Sequence, residues 1–372
     1  MNYTNTNNEL KTIMTITGIR PDFIRMSAIF KKLDDNFNHI CIHTGQHYDE
    51  LLSGVFFDEL EIRKPDYILN AGKQKNGTHY HQLSYLSTAI FELIEQNNLN
   101  PDLILFLGDS NSACVALPLK KEGYKIGHIE AGMRSFDKRM LEEINRTVCD
   151  HCSDIHFVYH EDYKLFLNNE NINENVYVVG NTIVEVVKPY IPIEIKKNNM
   201  ILIDIHRPEN FKYQERLKNI INYGNYVYDK FKLPVKMLSF KRTTDALKQY
   251  NIDLKNIELI PLKSFKDYIH SIYHCKFLIS DSGTAQEEPA LLNTPVIVPR
   301  DYTERPQSVS ANNSFMLDVN YYIDIVNIQL NFDKSLNWLK KYENGKLDVD
   351  ISWLGEGNTS DLVINGLKKY LL

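Results

Sequence analysis

The chain has 372 residues, which is too long for one ordinary hydrophobic core, so two domains are expected. Its hydrophobic content of 43% and charged content of 24% are typical of a soluble globular protein, and no apolar run approaches the roughly 18 residues that a membrane-spanning helix needs. The net charge of −6, without a basic stripe, argues against nucleic acid as the main partner.

The start of the chain and the cysteines predict a cytoplasmic protein with reduced thiols. Residues 1–10 are polar and rich in asparagine, without the apolar core of a signal peptide, so we interpret them as a frayed extension. Cys149 and Cys152 form a CxxC pair, but no second pair follows at the spacing of a zinc site. Structural thiols are therefore favoured over a zinc or redox site.

In the first half of the chain, short β-branched runs alternate with amphipathic stretches. The predicted strands are residues 11–17, 39–44, 103–107, 125–129 and 176–179, and the predicted helices include 23–33 and 51–60. This alternation is typical of βαβ units in a parallel sheet.

Residues 188–199, with two prolines and several lysines, predict a linker to a second series. The predicted strands there are residues 200–205, 235–238, 257–260, 277–279 and 296–298, with helices at 213–230 and 286–292. The fold class is thus α/β, with two Rossmann-like domains and a central cleft at facing strand ends. The predicted domains are 1–187, the linker 188–199, and 200–357, followed by a terminal helix in 358–372.

The turn after the first strand has the features of an anion site. Gly18 permits a tight turn, Pro21 suits a helix start, and the backbone amides with Arg20 and Arg25 can meet a negative charge. The segment is not GxGxxG, so dinucleotide binding is not implied, and a purely structural turn remains equally open.

Three carboxylates in the first half can converge at one edge of the sheet. Asp109 and Glu130 follow predicted strands, and Glu142 begins a helix. Clustered carboxylates raise one another's pKa and suit proton transfer. The alternatives are a helix cap for Asp109 and a favourable interaction with the helix dipole for the pair Glu142 and Glu143.

The second half carries the features of a phosphate site. His206 and Arg207 leave a strand end together, and Ser282, Gly283 and Thr284 lie between a strand and a helix start, where backbone amides can bind phosphate. Glu288, inside that helix, is suited to ribose hydroxyls. Arg305, which follows the next strand, brings a positive charge back toward the same site. A capped helix start with surface glutamates is the alternative.

Eight segments, in order, resemble the non-hydrolysing UDP-N-acetylglucosamine 2-epimerase family. They are GIRPDFIRMSAI, HTGQHYDELL, GDSNS, GHIEAGMRS, LEEINRTVCDHCSD, VVGNTIVE, HRPENF and SDSGTAQEEPALLNTPVIVPRDYTERP, and they cover most of residues 12–306. The resemblance implies a glycosyltransferase-B-like architecture, a last helix at 360–371 that crosses back, a UDP-sugar as partner, a homodimer, and no metal or nicotinamide cofactor.

The resemblance also implies a mechanism. Because the hydrogen on C2 of the sugar is unactivated, the family eliminates UDP to give a 2-acetamidoglucal, protonates the opposite face and adds UDP back. Three carboxylates and a histidine match the family's catalytic positions, namely Asp109, Glu130, Glu142 and His206. The positions that match or adjoin its UDP-binding residues are Arg20, Arg25, Ser282, Gly283, Thr284, Glu288 and Arg305.

The chain departs from the family pattern at several of these positions. Ile19, Asp22 and Arg25 stand where Thr, Glu and Lys are common, and Thr284 replaces a second glycine. Two arginines of the pattern are replaced by Tyr48 and Pro208, which puts activation by a second UDP-sugar in doubt.

Other functions remain open at this level. A hydrolysing 2-epimerase, a retaining UDP-sugar glycosyltransferase and a catalytically inactive UDP-sugar sensor share the expected fold. The segment 130–142 is shorter than in the common family enzyme and is similar to the branch that acts on modified UDP-sugars for surface polysaccharides such as capsules. Arg134, Lys138 and Arg139 could there meet a C6 carboxylate; the alternative is that they pair with Asp137, Glu142 or Glu143, or lie in solvent.

Overall fold

A computed structural model describes residues 10–45, 54–73, 78–320 and 325–372. By its internal contacts the chain forms two compact units, the first of Met1–Val186 with Leu354–Leu372 and the second of Val187–Trp353. We refer to them as unit 1 and unit 2. Tyr48 lies outside the described residues.

The described residues of unit 1 form seven strands. They are β1 (Thr12–Thr17), β2 (Asn38–His43), β3 (Tyr67–Ile68), β4 (Leu103–Leu107), β5 (Ile126–Ile129), β6 (Ile155–Val158) and β7 (Val176–Val178). Its first helices are α1 (Arg20–Asn36), α2 (Gly54–Glu59), α3 (His79–Gln96), α4 (Ala116–Lys121), α5 (Leu141–Cys152), α6 (Glu161–Asn169) and α7 (Ile183–Val187).

The seven strands pair in the order β3-β2-β1-β4-β5-β6-β7, and every pair is parallel. β4 is buried along its whole length, as its apolar sequence LILFL requires for a strand covered on both faces. The strand order reverses between β1 and β4, so the loops after these two strands leave the sheet side by side.

Unit 2 repeats this plan with six strands. They are β8 (Met200–Asp204), β9 (Val235–Leu238), β10 (Ile257–Ile260), β11 (Cys275–Ser280), β12 (Val296–Val298) and β13 (Ser314–Met316). Its helices are α8 (Pro208–Phe211), α9 (Gln214–Phe231), α10 (Lys241–Gln249), α11 (Phe265–His274), α12 (Glu288–Leu291), α13 (Pro306–Ser310) and α14 (Ile325–Glu343). The strand order is β10-β9-β8-β11-β12-β13, again all parallel, with the reversal between β8 and β11.

The last helix, α15 (Thr359–Leu371), belongs to unit 1 and packs on α1. Its approach depends on two glycines. Gly355 has φ +86°, and a Cβ there would lie 2.8 Å from the Cα of Gly180. Glu185 then caps the helix, since its Oε1 accepts from the backbone N–H of Ser360 at 2.7 Å.

The prediction of an α/β fold with two parallel sheets is confirmed. The strands at 103–107, 235–238, 257–260 and 296–298 have the predicted bounds. Three strands were not predicted from the sequence, because they have only two to four residues and little periodicity; they are β3, β6 and β13. The predicted linker begins with a short 3₁₀ turn at Lys188–Tyr190, within unit 2. Within the described part of the chain, no helix is long and apolar enough to cross a membrane.

Candidate functional site

In unit 1 the loops after β1, β4 and β5 meet at the carboxyl edge of the sheet, where open α/β sheets bind ligands. The first of these loops is held by Asp22. Its Oδ2 accepts from the N–H groups of Gly18 at 3.1 Å and Ile19 at 3.2 Å, so it closes the first turn of α1. Burial raises the pKa of Asp22 to about 7. The turn therefore has a clear structural role, and Arg20 is the first residue of the helix above it, partly exposed.

Arg25 and Glu130 form a buried ion pair at this edge. The guanidinium also lies 3.8 Å from Oδ1 of Asp22, and the side chains of Arg25 and Glu130 are 6% and 3% exposed. Gly108 permits the pairing, because a Cβ there would lie 2.9 Å from Nη2 of Arg25 and 3.0 Å from Oε2 of Glu130. Arg25 thus contacts a predicted catalytic carboxylate, and direct contact with UDP stays a prediction.

Glu130 also has an unusual backbone conformation. Its φ is +70°, in the left-handed region that side chains with a Cβ adopt rarely. Consecutive N–H groups of Glu130 and Ala131 both point at the carbonyl of Phe157, at 3.0 and 3.2 Å, and hold the turn. Backbone strain of this kind is concentrated at functional sites, and here it aims the carboxylate back at Arg25.

Asp109 is held by the helix α5. Its carboxylate pairs with Arg146, and its carbonyl accepts from Nδ2 of Asn145 at 2.9 Å. The cap of the following 3₁₀ turn is Ser110, so the contacts of Asp109 favour the site interpretation over the cap. Its side chain is 25% exposed, which leaves an oxygen edge toward solvent.

The two neighbouring glutamates of α5 differ. Glu143 is buried and accepts from the N–H groups of Ser135 and Phe136, both at 2.9 Å, so it fixes the loop before the helix. Glu142 lies in the first turn and is partly exposed. Of the three predicted carboxylates, the structure places Asp109 and Glu130 on neighbouring strand ends and Glu142 at the start of the helix that carries Arg146.

In unit 2 the corresponding edge is built on two buried aspartates. Asp281 accepts from the N–H groups of His206 and Arg207, both at 3.0 Å. Asp204 lies 3.0 Å from Nδ1 of His206 and accepts from the hydroxyl of Tyr268 at 2.7 Å. Burial opposes charge on the His206 ring, but the two carboxylates outweigh it and raise its pKa above the usual value. A ring that binds a proton more readily than usual suits an anionic ligand at this edge.

The small-residue loop after β11 follows directly. Ser282 and Thr284 are partly exposed with their hydroxyl oxygens 3.2 Å apart, and Gly283 lies between them. A Cβ on Gly283 would lie 2.6 Å from Oε1 of Glu304 and 2.7 Å from Nη1 of Arg305, so only glycine fits.

Arg305 supports this loop from below. Its Nε donates to Glu287 and its Nη1 to Glu304, at 2.5 and 2.7 Å, and all three side chains are buried. Glu288, at the start of α12, is also buried. The roles of Arg305 as a UDP ligand and of Glu288 as a ribose ligand stay predictions.

Arg134 and Arg139 are already bound by acidic residues. Arg134 is buried and donates to Glu170 through Nε and Nη2, at 2.8 and 2.7 Å, and to Asp150 through Nη1 at 2.7 Å. Arg139 pairs with Asp137. Arg139 is therefore bound by one of its expected acidic partners, whereas Arg134 is bound by two that were not expected. Lys138 is exposed.

Among the described residues, one group has ligand atoms close enough for a metal ion: Glu194, His270 and His274. The Nε2 atoms of both rings lie 2.9 and 3.0 Å from the same oxygen of Glu194. However, Nδ1 of His274 accepts the N–H of Lys197 at 3.2 Å, which places the ring proton on Nε2 and closes the group by hydrogen bonds. Cys149 and Cys152 are buried free thiols on α5.

Several residues of the site were missed by sequence reasoning. Their importance comes from contacts across the sheet rather than from any motif; they are Arg146, Asp204, Tyr268, Asp281 and Glu304. Only Asp281 gave a local signal, since it begins the segment of small residues.

Comparison with known proteins agrees with this geometry. A family model described as UDP-N-acetylglucosamine 2-epimerase matches residues 31–368. A UDP-N-acetylglucosamine 2-epimerase homolog of Methanococcus maripaludis is 35% identical, over 96% of this chain and 99% of the relative. A UDP-2,3-diacetamido-2,3-dideoxy-D-glucuronate 2-epimerase of Pseudomonas aeruginosa is 31% identical, over 82% and 88%.

Solved structures give the same result for the fold. The crystal structure of Methanocaldococcus jannaschii UDP-GlcNAc 2-epimerase in complex with UDP-GlcNAc and UDP superposes with a TM-score of 0.85 at 29% identity, over 96% of this chain and 99% of that one. Phytolacca americana UGT2 matches with a TM-score of 0.56 at 11% identity, over 97% and 100%, which concerns the fold alone. The predicted glycosyltransferase-B-like fold class is confirmed.

Proposed function

The chain belongs to the UDP-N-acetylglucosamine 2-epimerase family, and from that premise we propose that it inverts C2 of a UDP-linked 2-acetamido sugar without hydrolysing it. The observation that carries the proposal is the pair of carboxylates on neighbouring strand ends, Asp109 and Glu130, each held by an arginine of a helix behind it. Pairing with an arginine holds a carboxylate in one orientation, which a base needs.

The reaction divides into two balanced halves. In the first, a carboxylate removes the hydrogen of C2 while the bond between C1 and the UDP oxygen breaks, which gives a 2-acetamidoglucal and UDP. In the second, a proton reaches the other face of C2 and the UDP oxygen bonds to C1 again. We assign the proton transfers to Asp109, Glu130 and Glu142 together.

The edge of unit 2 is suited to hold UDP after the elimination step and until the addition step. The ring of His206 lies at the end of β8, and the loop of Ser282, Gly283 and Thr284 opens beside it after β11. Small residues at a helix start admit phosphate to the backbone amides. Retention of UDP at this edge would favour re-addition over release.

UDP-N-acetylglucosamine is our leading substrate. Family relatives bear that activity in their names, and a related solved structure holds UDP-GlcNAc. A diacetamido glucuronate is the competitor, because one relative acts on it, but the arginines that were to meet its carboxylate are bound elsewhere. Comparing kcat/KM for the two sugars decides, since a tenfold preference corresponds to about 1.4 kcal/mol of transition-state binding.

The proposal is tested by incubation with UDP-N-acetylglucosamine in deuterated water, followed by NMR at C2 and phosphorus NMR of UDP. We expect deuterium at C2 in both epimers while the sugar stays linked to UDP. Steady accumulation of free sugar and UDP would instead identify a hydrolysing enzyme. A lack of label and of epimer would leave a glycosyltransferase or a sensor as the alternative.

We further propose that the chain forms a homodimer through α4 and α5. These helices pack together and expose Leu117, Leu141 and Ile144 by 47%, 51% and 50%. Exposed apolar residues on two packed helices favour a protein contact. Sedimentation of Ile144→Asp should give a monomer, whereas Leu330→Asp, 49% exposed on α14, should sediment like the wild type. A monomeric wild type would contradict the proposal.

A further inference from the structure

His128 is a buried histidine that the proposed reaction does not use. It lies on β5, between Phe106 of β4 and His156 of β6, and its side chain is 0% exposed. The strand on which it lies ends one residue before Glu130, and β4 beside it ends two residues before Asp109. His128 is therefore directly behind both carboxylate loops.

Both ring nitrogens of His128 face acceptors. Nδ1 lies 2.7 Å from Oδ1 of Asp150, and Nε2 lies 2.8 Å from the carbonyl oxygen of Gly108. A carbonyl oxygen only accepts, so Nε2 must carry a proton. The other oxygen of Asp150 accepts from the N–H of Gly132 at 3.1 Å and from Arg134 at 2.7 Å. The ion pair with Arg134 favours an ionised Asp150, and Nδ1 then carries a proton as well.

The ring is thus an imidazolium. Burial alone would oppose the charge, but Cys149 and Asp150 beside it outweigh that effect and raise the pKa of His128 well above its usual value. Burial likewise opposes ionisation of Asp150, but His128 and Arg134 hold its pKa far below normal. The buried charges satisfy one another, as buried charges must.

His128 and Asp150 together fasten both loops of the carboxylate edge. Gly108 directly precedes Asp109, and its carbonyl is held by the imidazolium. Gly132 follows Glu130 by two residues, and its N–H is held by Asp150. One buried ion pair therefore fixes the backbone directly before Asp109 and two residues after Glu130, the two side chains to which we assign proton transfer.

We propose that His128 is a positioning residue for the epimerase reaction: its charged ring fixes the Gly108 carbonyl and so the aim of Asp109, and it shares Asp150 with the loop of Glu130. This inference rests on the proposed function. A small error in the placement of a reacting group can cost about 100-fold in rate. The ring itself touches neither solvent nor substrate, so its effect is indirect.

Two neutral variants separate the two contacts of the ring. The amide nitrogen of His128→Gln takes the place of Nε2 and can still donate to Gly108. That of His128→Asn takes the place of Nδ1, and so keeps Asp150 but loses Gly108. We expect kcat to fall by about 10- to 100-fold in His128→Asn, with KM and the affinity for UDP nearly unchanged, and to recover most of the loss in His128→Gln.

His156 provides the matched control. It is a buried histidine at the paired position of the next strand, and its Nε2 lies 2.8 Å from the backbone oxygen of the same Asp150, but it holds no carboxylate loop. His156→Asn should disturb the same core and leave kcat near that of the wild type. Thermal unfolding of all variants checks that each is folded at the assay temperature.

A double variant tests the route of the effect. If His128 acts through Asp109, then Asp109→Asn with His128→Asn should have the same kcat as Asp109→Asn alone, within about twofold, instead of the product of both losses. Additive losses, or equal kcat in His128→Asn and His156→Asn, would overturn the proposal. Equal damage in His128→Gln and His128→Asn would overturn it too, since the Gly108 contact would then be irrelevant.

Nitrogen NMR of labelled histidines tests the charge directly, with the signal assigned by its loss in His128→Gln. We expect two protonated nitrogens for His128 at pH 8 and a neutral ring for His156, whose pKa is lowered by burial. A neutral His128 would overturn the proposal. Failure of the proposed function is distinct, because then the wild type itself would not epimerise UDP-N-acetylglucosamine.

Discussion

The carboxyl edges of the two sheets have the same strand order but opposite charge arrangements. In unit 1 the loops carry carboxylates, and the helices behind them supply arginines, as in the pairs of Glu130 with Arg25 and Asp109 with Arg146. In unit 2 the loop carries His206, and the carboxylates are buried in the strand ends behind it. The shared topology fixes where a ligand can bind. The charge of the buried residues behind each loop, positive in unit 1 and negative in unit 2, decides which chemistry that edge supports.

The largest expected effect is a loss of kcat when the carboxylates at the edge of unit 1 are replaced. Amide substitution of Asp109, Glu130 or Glu142 should lower kcat by about 10²- to 10⁴-fold with a smaller change in KM, because a proton transfer is lost. Steady-state kinetics on UDP-N-acetylglucosamine measures this. Glu185→Gln, which changes only the cap of α15, is the control. Near-normal kcat in all three variants would show that these carboxylates of unit 1 do not transfer protons in the reaction.

Removal of the buried arginine should damage unit 1 more than unit 2. Arg25→Met leaves Glu130 buried without this partner and should cost about 3–5 kcal/mol of unfolding free energy. Arg300→Met should cost less, since Glu304 keeps Arg305 at 2.7 Å. Urea unfolding of both variants tests the order. The reverse order would mean that the ion pairs of unit 2 carry more of the stability.

The pH dependence of stability sharpens the same comparison. Since the folded pKa of Asp22 is raised from 3.8 to about 7, its contribution is fully present below pH 4 and is lost as the pH rises to 7, by up to about 4 kcal/mol. The free-energy difference between wild type and Asp22→Asn should fall over that window. Asp102 has a lowered pKa, so for Asp102→Asn the wild-type advantage should instead disappear as the pH falls. Parallel pH curves for both variants would contradict the prediction.

The smallest effect concerns the loop of unit 2. Gly283→Ala places a Cβ within 2.7 Å of two buried side-chain atoms, which should cost about 1–3 kcal/mol of stability and weaken UDP binding. Ser282→Ala adds no atom there and should change stability by less than about 0.5 kcal/mol. Calorimetric unfolding and titration with UDP check both. Unchanged UDP affinity in Gly283→Ala would show that this loop does not bind the nucleotide.

Motifs and periodicity were enough to predict the α/β class, the two sheets, the family and the strand ends at which the candidate residues lie. This succeeded because buried parallel strands such as β4 are continuous apolar runs, and because residues that follow a strand in sequence must leave the sheet at its carboxyl end. Asp109, Glu130, His206 and Ser282 could therefore be placed at sheet edges from sequence alone.

Only the tertiary structure decided which partner each charged residue has. Arg25 and Arg134 were available to a ligand as far as the sequence could indicate, yet they pair with Glu130 and with Asp150. His128 lies in the segment GHIEAGMRS, but its role could not be predicted, because it depends on acceptors that lie 20 and 22 residues away in sequence. A buried charge must find its counter-charge wherever the fold brings one, and pairing across strands and helices is not encoded in local pattern.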